Sequence, residues 1–368
     1  MYYEIHHYEI LRRFMLNHKD LVEDMKKTDH NYSPEATNPY HLEGDVWTHT
    51  MMVFNHAVRN NYPLEVLFSA LLHDVGKPAA SYRNDEKQRV RFTGHDGISF
   101  YKSIDILNKT YSDVLTLEQK ETIAKLVACH SVLFSWKNDT EIDGDKEKYV
   151  KTVFAGQSDF LSLLCKQNDC DVNGRIGTPE VEGAQTENFL KYQDFVTYQE
   201  PKIEDERPTL TLLVGPPGSG KSTWVKENVL DEVVISSDDL IMQYAPGETY
   251  NDKWNHPDFD FNKYQQMALK LFDSAVKDEK DIVIDRTNMN RGSKRGLGKG
   301  RRRFVRAARY AGYNIKAVVF MVGEEELMKR IAARSGKTIS TKVMKQMMQN
   351  FNFPLMEEAD EVVLYNGK

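Results

Sequence analysis

Cysteine and long apolar stretches are both scarce in this sequence. Three cysteines occur among 368 residues, an odd number in no zinc-binding spacing, so neither a disulfide framework nor a cysteine-based zinc site is expected. No apolar run approaches the length of a membrane-spanning helix. The N-terminal segment MYYEIHHYEILRRF lacks the basic start, apolar centre and cleavage site of a secretory signal. These absences predict a reduced, cytoplasmic protein without a membrane partner.

An excess of positive charge is also lacking, since the formal net charge is -6 at pH 7. This argues against general adhesion to nucleic acid, although it leaves room for a local basic groove. One candidate is the tract RGSKRGLGKGRRRFVRAAR at 291–309, which contains nine Lys or Arg residues and no acid. A charge run of this kind is either a solvated helix face or a track for a nucleic-acid strand.

Histidine is almost absent from the second half of the chain. Ten of the eleven histidines lie between His6 and His130, and only His256 lies beyond them. The chain length suits two domains with separate cores. The stretch QEPKIEDERPTL between the halves carries two prolines, a charge cluster and no periodicity, as linkers do. We therefore predict one domain at 1–198 and a second at 207–368.

The first half has helical apolar spacing and a histidine–aspartate pair at the end of one helix. The segment ALLHDVGKPAASY sets His73 beside Asp74, so on a regular helix their side chains point about 100° apart. They can share a metal only near a helix end, where Gly76 is expected to let the chain turn away. His49 in DVWTHT and an aspartate in NDCDVNGR are available as further ligands.

Four pieces in order, EGDVWTHT, LLHDVGKP, FTGHDG and DVNGR, make roughly residues 40–180 resemble the HD phosphohydrolase superfamily. The resemblance implies an all-α helical bundle with a metal site. It makes His49, His73 and Asp74 ligands. The last ligand is Asp171, which matches the Asp-x-x-Gly-Arg ending of HD domains related to tRNA nucleotidyltransferases, or else Asp169, which fits the simpler superfamily ending.

Two further histidines stand where the two-metal members of that superfamily carry additional ligands, His95 in GHDG and His130 in ACHS. Surface or supporting positions are the ordinary alternative for both. Imidazole with carboxylate suits one or two ions of Mn, Co, Ni, Fe or Zn better than a pure Mg site. Such an ion activates water and polarises a phosphoryl oxygen. Lys77 would then act as a catalytic cation that neutralises the phosphate.

The second half opens with a strand, a glycine loop and a helix in TLTLLVGPPGSGKSTWVKE. The Gly-x4-Gly-Lys-Ser spacing in this context is specific for a phosphate-binding loop. Lys221 is expected to reach the β and γ phosphates of ATP or another NTP, and Ser222 to bind Mg²⁺. Alternating strands and helices beyond the loop predict an α/β domain with a parallel sheet. The expected ATP-binding loop residues are Gly215, Pro216, Pro217, Gly218, Ser219, Gly220, Lys221, Ser222 and Thr223.

The order of GPPGSGKSTW, SSDD, DRTNMN and KRIAARSGKTIS over roughly residues 208–350 resembles the phage-type polynucleotide 5′-kinases. The resemblance makes Asp238 the general base for the 5′-hydroxyl and puts Asp285 and Asn288 with it on the acceptor side. It also implies that Arg330 and Arg334 lie on a lid over the ATP phosphates, with Arg334 and the loop lysine taking part in catalysis.

One position departs from that family pattern. The family has an arginine three residues after the base, and this chain has Ile241 there. The contact with the acceptor phosphate must therefore come from elsewhere, or the acceptor is held differently.

An HD phosphohydrolase followed by a polynucleotide kinase resembles the bifunctional end-healing enzymes called HD-Pnk. The resemblance implies that the metal site removes a 2′,3′-cyclic or 2′-phosphate from the 3′ end of RNA or DNA, and that the ATP site phosphorylates a 5′-hydroxyl end. A separate ligase would seal the healed ends. Three alternatives stay open: a nucleoside or small-molecule kinase joined to an HD nucleotidase, an HD half that cleaves dNTPs or cyclic nucleotides, and a nucleotide-switched binding module without transfer chemistry.

Overall fold

The structure is a computed structural model of the 368-residue chain, and it describes residues 5–134, 145–184, 189–192, 206–292 and 300–367. The chain divides into two compact units, Met1–Glu200 and Pro201–Lys368. Each unit has an apolar core of its own. Within the described ranges, no helix is both long enough and apolar enough to cross a membrane.

The first unit is built from helices, which confirms the all-α prediction. In its described part the only sheet is a short antiparallel hairpin, in which Tyr82 lies opposite Arg91. The elements are α1 (His7–Asn17), α2 (Lys19–Lys27), α3 (Val46–Arg59), α4 (Leu64–Leu72), α5 (Lys77–Ala80), β1 (Tyr82–Asn84), β2 (Arg89–Arg91), α6 (His95–Thr110), α7 (Leu117–Cys129), α8 (Lys146–Val153), α9 (Ser158–Asn173) and α10 (Pro179–Ala184).

Short-range signals set the ends of the helices that carry the predicted metal ligands. Asp45 caps α3 by accepting a hydrogen bond from the backbone N–H of Thr48 at 2.9 Å, as an N-cap aspartate does. Helix α4 follows Pro63 and ends at Leu72, so His73 is its C-terminal cap. The histidine–aspartate pair therefore stands at a helix end, as the sequence predicts.

Helices α3, α4 and α9 pack against one another through small apolar side chains. Val53 and Ala57 of α3, Val66 and Ala70 of α4, and Cys170 of α9 form one fully buried cluster. Small side chains let helix backbones approach closely. The packing therefore brings together the three helices from which the HD ligands are expected.

Two glycines permit close approaches around the same helices. A Cβ at Gly174 would stand 2.5 Å from the Cα of Val53, and one at Gly76 would stand 2.5 Å from the carbonyl oxygen of His95. Gly76 has a φ of -86°, which any residue adopts, so it is not needed to turn the chain. Its role is steric, because it lets the segment after α4 press against the start of α6.

The second unit is an α/β domain with one parallel five-stranded sheet of order β4-β5-β3-β6-β7, which confirms the predicted fold class. The elements are β3 (Thr209–Val214), α11 (Lys221–Asn228), β4 (Val233–Ser236), α12 (Ser237–Tyr244), α13 (Tyr250–Trp254), α14 (Phe261–Lys277), β5 (Ile282–Asp285), α15 (Arg302–Tyr310), β6 (Asn314–Phe320), α16 (Glu324–Ala332), α17 (Thr341–Gln349) and β7 (Glu361–Tyr365).

The carboxyl ends of three neighbouring strands form one edge of this sheet. Strand β3 leads into the glycine loop, β4 leads into the helix that begins with Ser237 and Asp238, and β5 ends at Asp285. Because ligands of open parallel sheets bind at this edge, the topology brings the predicted kinase residues to one place.

Candidate functional sites

Each of the four histidines predicted as metal ligands in the first unit has its Nδ1 atom close to an oxygen atom of the protein. His73, His95 and His130 each have Nδ1 within 2.8–2.9 Å of the backbone carbonyl oxygen three residues earlier. His49 has Nδ1 2.9 Å from a carboxylate oxygen of Glu43. These contacts on Nδ1 turn the Nε2 atom of each ring toward the interior of the site, which is the arrangement usual for metal-binding imidazoles.

The donor atoms converge in two neighbouring groups, which we call together the histidine centre. Asp74 lies between them, with its Oδ2 3.2 Å from His73 Nε2 and its Oδ1 3.2 Å from His95 Nε2. A carboxylate arranged in this way can bridge two cations. The donor atoms of each group lie within 4.8 Å of one another, and the groups are His49, His73 and Asp171, and Asp74, His95 and His130.

The interior of the histidine centre holds polar atoms that the protein does not satisfy. His95 Nε2 and His130 Nε2 are 3.0 Å apart. Among the described residues, His73 Nε2 and both oxygens of Asp74 are buried without a well-aligned hydrogen bond. Buried polar atoms of this kind call for an ion or water. Imidazole and carboxylate donors together fit divalent transition metals.

The two buried aspartates of the centre have their negative charges balanced by neighbours. Burial alone would raise the pKa of Asp74, but the charges of His73 and Lys77 hold it well below its usual range. Burial also opposes ionisation of Asp171, and there the hydrogen bond to His49 and nearby charges keep the pKa well below its usual range. Both side chains are therefore carboxylates, which is the form that binds a cation.

The two alternatives for the last ligand face different partners from the same helix. Asp171 Oδ1 is 3.1 Å from His49 Nε2, inside the histidine centre. Asp169 Oδ2 accepts a hydrogen bond from the Tyr62 hydroxyl at 2.7 Å and lies 2.9 Å from His56 Nε2. The geometry favours Asp171 as the ligand, and Asp169 instead ties α9 to α3 and the residues that follow it.

Two acidic residues that were not predicted as ligands lie behind the histidines of the centre, close to their Nδ1 atoms. Glu43 Oε1 lies 2.9 Å from His49 Nδ1 and 2.8 Å from His41 Nδ1. Asp96 Oδ1 lies 3.4 Å from His130 Nδ1. Carboxylates behind ligand imidazoles fix the orientation of the rings. The only sequence signal for them is their position inside the segments EGDVWTHT and GHDG.

Lys77, the cation expected to neutralise the phosphate, lies at the edge of the centre. Its Nζ is 2.7 Å from Asp74 Oδ2 and 3.0 Å from His30 Nε2. His30 Nδ1 contacts the carbonyl oxygen of Gly44 at 2.9 Å, so its Nε2 accepts the hydrogen bond from Lys77. His30, which the sequence does not single out, therefore helps to position this ammonium group.

In the second unit, the loop after β3 has the backbone of a phosphate cradle. Gly218 and Gly220 have φ values of 83° and 102°, which favour glycine. Lys221 Nζ donates to the carbonyl oxygens of Gly215 and Pro216 at 2.9 and 2.8 Å, and burial lowers the pKa of Lys221 to about 8. The other predicted loop residues lie in the same turn and in the first turn of α11: Pro217, Ser219, Ser222 and Thr223.

The two predicted lid arginines approach this loop from α16 and the residues after it. Arg330 Nη1 donates to the carbonyl oxygen of Gly218 at 3.3 Å. Burial is the main cause that lowers the pKa of Lys221, and the charge of Arg334 lowers it further. Arg330 therefore lies where a cation could contact phosphates held by the loop, and Arg334 follows the end of α16.

Asp285 is beside the hydroxyl expected to bind Mg²⁺. Ser222 Oγ donates to Asp285 Oδ2 at 3.2 Å, which links the start of α11 to the end of β5. Burial raises the pKa of Asp285, and the charge of Lys221 opposes that rise. The contact associates Asp285 with the nucleotide side of the site, and its place on the acceptor side stays a prediction.

Asn288, also expected on the acceptor side, has its amide group engaged in the fold. Its Nδ2 donates to the carbonyl oxygens of Leu213 and Ile284 at 2.8 and 3.1 Å. The residue is buried and has a φ of 45°. Asn288 thus ties the end of β3 to the end of β5. Its side-chain N–H groups are used in these contacts and are not available to the substrate that would accept the phosphate.

Asp238, the expected general base, lies in the first turn of α12, and 51% of its side chain is accessible to solvent. The hydroxyl of Tyr250 donates to its Oδ1 at 3.0 Å, and Lys337 forms an ion pair with its Oδ2. Ile241 is fully buried. The departure from the family pattern is therefore an apolar core position, and the cation beside the expected base is Lys337, which the sequence does not single out.

Several arginines of the basic tract at 291–309 are paired with acidic side chains, so the tract carries less unpaired positive charge than its composition suggests. Residues 293–299 lie outside the described residues. Arg301 is fully buried, with Nη2 2.7 Å from Glu358 Oε2. Arg301 is therefore part of neither a solvated helix face nor a nucleic-acid track. Three more arginines of the tract form ion pairs with acids near the C-terminal strand: Arg291, Arg302 and Arg309.

Comparison with known proteins agrees with this division of the chain. The HD domain family matches residues 46–156, and the AAA domain family matches residues 210–354. The chain is 33% identical over 157 residues to the multifunctional CCA protein of Paraburkholderia phymatum, which is 43% of this chain and 36% of that protein. The corresponding protein of Paraburkholderia phytofirmans is 36% identical over 89 residues, 24% of this chain and 20% of the relative.

These matches span 36% of the length of the first relative and 20% of the length of the second. They agree with the helical histidine centre in the first unit and the glycine loop on a parallel sheet in the second. The chain is therefore a fusion of an N-terminal HD domain with a C-terminal P-loop domain of the AAA type.

Proposed function

We propose that the protein is a bifunctional RNA end-healing enzyme. Its HD domain removes a 2′,3′-cyclic or 2′-phosphate from 3′ ends, and its P-loop domain phosphorylates 5′-hydroxyl ends with ATP. The observation that carries the proposal is the presence, in one chain, of a two-group His/Asp centre and a P-loop with an exposed carboxylate beside it. Similarity to proteins named multifunctional CCA proteins supports a nucleic-acid end as the substrate.

In the HD domain, the proposed ligands hold one or two ions of Mn, Co, Ni, Fe or Zn. A bound ion of this kind supplies an activated water and polarises a phosphoryl oxygen. Opening the cyclic phosphate adds water across one P–O bond, and a second water releases inorganic phosphate. Lys77, held by Asp74 and His30, provides positive charge for the phosphate oxygens, and Glu43 keeps the His49 ring in its orientation.

In the P-loop domain, the loop and Lys221 hold ATP while Ser222, with Asp285 beside it, supports Mg²⁺. The carboxylate of Asp238 takes the proton of the 5′-hydroxyl. That oxygen forms a bond to the γ-phosphorus, and the bond from this phosphorus to the bridging oxygen of ADP breaks with its electron pair on ADP. Arg330 and Arg334 stabilise the charge that spreads over the transferred phosphoryl group, as cations do in phosphoryl transfer.

One substrate tests both halves: RNA with a 5′-hydroxyl and a 2′,3′-cyclic phosphate, incubated with labelled ATP. Lys221→Ala should stop 5′ labelling and leave 3′ phosphate release intact. Asp74→Ala should do the reverse. Metal-stripped wild type should regain phosphate release with Mn, Co or Ni more readily than with Mg, because imidazole nitrogen matches a hard cation poorly.

The same experiment separates the alternatives. Strong labelling of a free nucleoside beside weak labelling of RNA would support a small-molecule kinase. Nucleotide-dependent binding without transfer would support a switch module. Loss of both activities in a folded Lys221→Ala protein would contradict two independent sites. A product with a 5′-phosphate and a free 3′ end is what a separate ligase requires.

A further inference from the structure

Three side chains meet at the exposed carboxylate of the P-loop domain. Tyr250 donates to Asp238 Oδ1 at 3.0 Å, and Lys337 pairs with Asp238 Oδ2. Lys337 Nζ also lies 3.9 Å from the centre of the Tyr250 ring, within the range of a cation–π contact. Asp238 is therefore held on both oxygens, while half of its side chain stays open to solvent.

The segment that carries Lys337 is fixed to α13 by backbone and side-chain contacts. Asn251 Nδ2 donates to Thr338 Oγ1 at 3.2 Å, and the Thr338 N–H donates to Asn251 Oδ1 at 3.1 Å. The Asn251 N–H donates to the carbonyl oxygen of Gly336 at 3.4 Å. These contacts on both sides of Lys337 hold its side chain in a defined position, unlike a mobile surface lysine.

The Lys337 ammonium has capacity for another anion. An ammonium group carries three N–H donors, and in the described part of the chain Asp238 is the one hydrogen-bond acceptor that Lys337 contacts. The residue is 9% exposed, so water competes weakly for the remaining donors. A hydroxyl placed on Asp238 would thus have a fixed positive charge beside it.

We propose that Lys337 and Tyr250 form the acceptor phosphodiester subsite of the kinase. Lys337 contacts the phosphodiester on the 3′ side of the terminal nucleoside, and Tyr250 holds Asp238 toward the 5′-hydroxyl. The inference rests on the proposed kinase function. Lys337 supplies the cation that position 241 lacks, since Ile241 is buried in the core. The subsite selects a nucleoside that is part of a polynucleotide over a free nucleoside.

Arg286, whose guanidinium interacts electrostatically with Asp238, is the main competitor for this role. The guanidinium of Arg286 lies 5.8 Å from the ring centre of Phe304, and that of Arg303 lies 5.4 Å from the same ring. Lys337 is favoured because it touches Asp238 directly, whereas Arg286 makes no hydrogen bond to Asp238 within the described residues. Arg286→Gln therefore belongs in the test as a rival variant.

The test compares two acceptors that differ by one group: a nucleoside, and the same nucleoside carrying a 3′-methylphosphate diester, which a terminal phosphatase does not remove. With the full-length protein, wild type should show a higher kcat/KM for the diester. Lys337→Gln should reduce that preference by roughly 10- to 100-fold, the size of a lost hydrogen bond to a charged group. Lys337→Arg should restore part of it, and the KM for ATP should stay constant.

Lys342→Gln is the matched control, since Lys342 is an exposed lysine five residues further along the chain, and it should keep the wild-type preference. Equal losses with both acceptors in Lys337→Gln, or a preference that only Arg286→Gln removes, would overturn the subsite while leaving the kinase function in place. A wild type that uses both acceptors equally would do the same. A wild type that phosphorylates neither these acceptors nor RNA would overturn the kinase function itself.

Discussion

Substitutions of Asp171 and Asp169 form a matched pair. Both residues lie on one helix, and we predict opposite effects of the two substitutions on metal binding. Asp171 Oδ1 is 3.1 Å from His49 Nε2, and Asp169 Oδ2 is 2.9 Å from His56 Nε2. Both residues are buried. Asparagine preserves the shape of either side chain and removes one negative charge. We expect Asp171→Asn to lose bound metal and 3′ phosphate removal, and Asp169→Asn to keep both.

The expected loss of metal follows from the position of Asp171 among the ligands. Substituting residues that only support a ligand typically costs about 10- to 100-fold in metal affinity, so replacing a direct anionic ligand should exceed about 10²-fold. The amide N–H of the new asparagine can donate to His49 Nε2. The metal-free fold should therefore keep nearly its original stability.

Asp169→Asn is expected to lower the free energy of unfolding and to leave metal binding unchanged. Asp169 Oδ1 accepts from Asn173 Nδ2 at 2.9 Å, and its Oδ2 accepts from the Tyr62 hydroxyl at 2.7 Å. Asparagine has one carboxamide oxygen, so one of these two partly buried donors loses its acceptor. That loss costs about 0.5–1.5 kcal/mol, and each kcal/mol lowers the unfolding midpoint of a domain of this size by about 2–4 °C.

Three measurements on the purified variants decide the matter. Elemental analysis gives the metal content, calorimetry with chelator gives the midpoint of the metal-free protein, and cyclic-phosphate RNA reports the HD activity. The reasoning is refuted if Asp171→Asn retains its metal while Asp169→Asn loses it, or if the two proteins hold equal amounts.

Three further predictions concern single groups. Asp238→Asn should lower the rate of 5′ phosphorylation on the order of 10²-fold or more while ATP binding is kept; near-normal rates would move the role of base to another carboxylate. Glu43→Gln should weaken metal binding about 10- to 100-fold by loosening the His49 ring, and unchanged affinity in a metal titration would contradict that. Burial lowers the pKa of Lys221 to about 8, so its ammonium is half deprotonated at that pH. Phosphates favour the charged form, and ATP binding at pH 8 should therefore take up about half a proton, with none at pH 6. Calorimetry in buffers of different ionisation enthalpy measures the uptake, and Lys221→Arg should abolish it.

Residues that act through local sequence were predictable. The glycine loop must be followed at once by a helix, and α11 begins at Lys221 as expected. The N-cap at Asp45 and the helix end before His73 also follow from short-range rules. Alternating strands and helices gave a parallel sheet, because such connections require crossovers. These features need no knowledge of distant contacts.

The partners of residues that act through distant contacts were not predictable from local sequence. Lys337 meets Asp238 across 99 positions of sequence, and no local pattern announces that pairing. Asn288 looked like an acceptor ligand in DRTNMN, yet its amide hydrogens belong to backbone carbonyls. Arg301 looked like part of a basic surface and is instead buried against Glu358. A charge or amide in sequence does not reveal which polar group will satisfy it in the fold.

The adjacency of His73 and Asp74 is explained by two groups of donors. Side chains about 100° apart on a regular helix cannot easily bind one ion, but α4 ends at Leu72, and beyond its end Asp74 Oδ2 lies 3.2 Å from His73 Nε2. His73 belongs to the group with His49 and Asp171, whereas Asp74 turns one oxygen to each group. If each group holds an ion, His73→Ala should leave the ion of the other group in place, and Asp74→Ala should weaken both. Elemental analysis should then give about one ion per chain for His73→Ala and fewer for Asp74→Ala. Equal metal contents in the two variants would mean that Asp74 does not bridge the groups, and that a single ion accounts for the site.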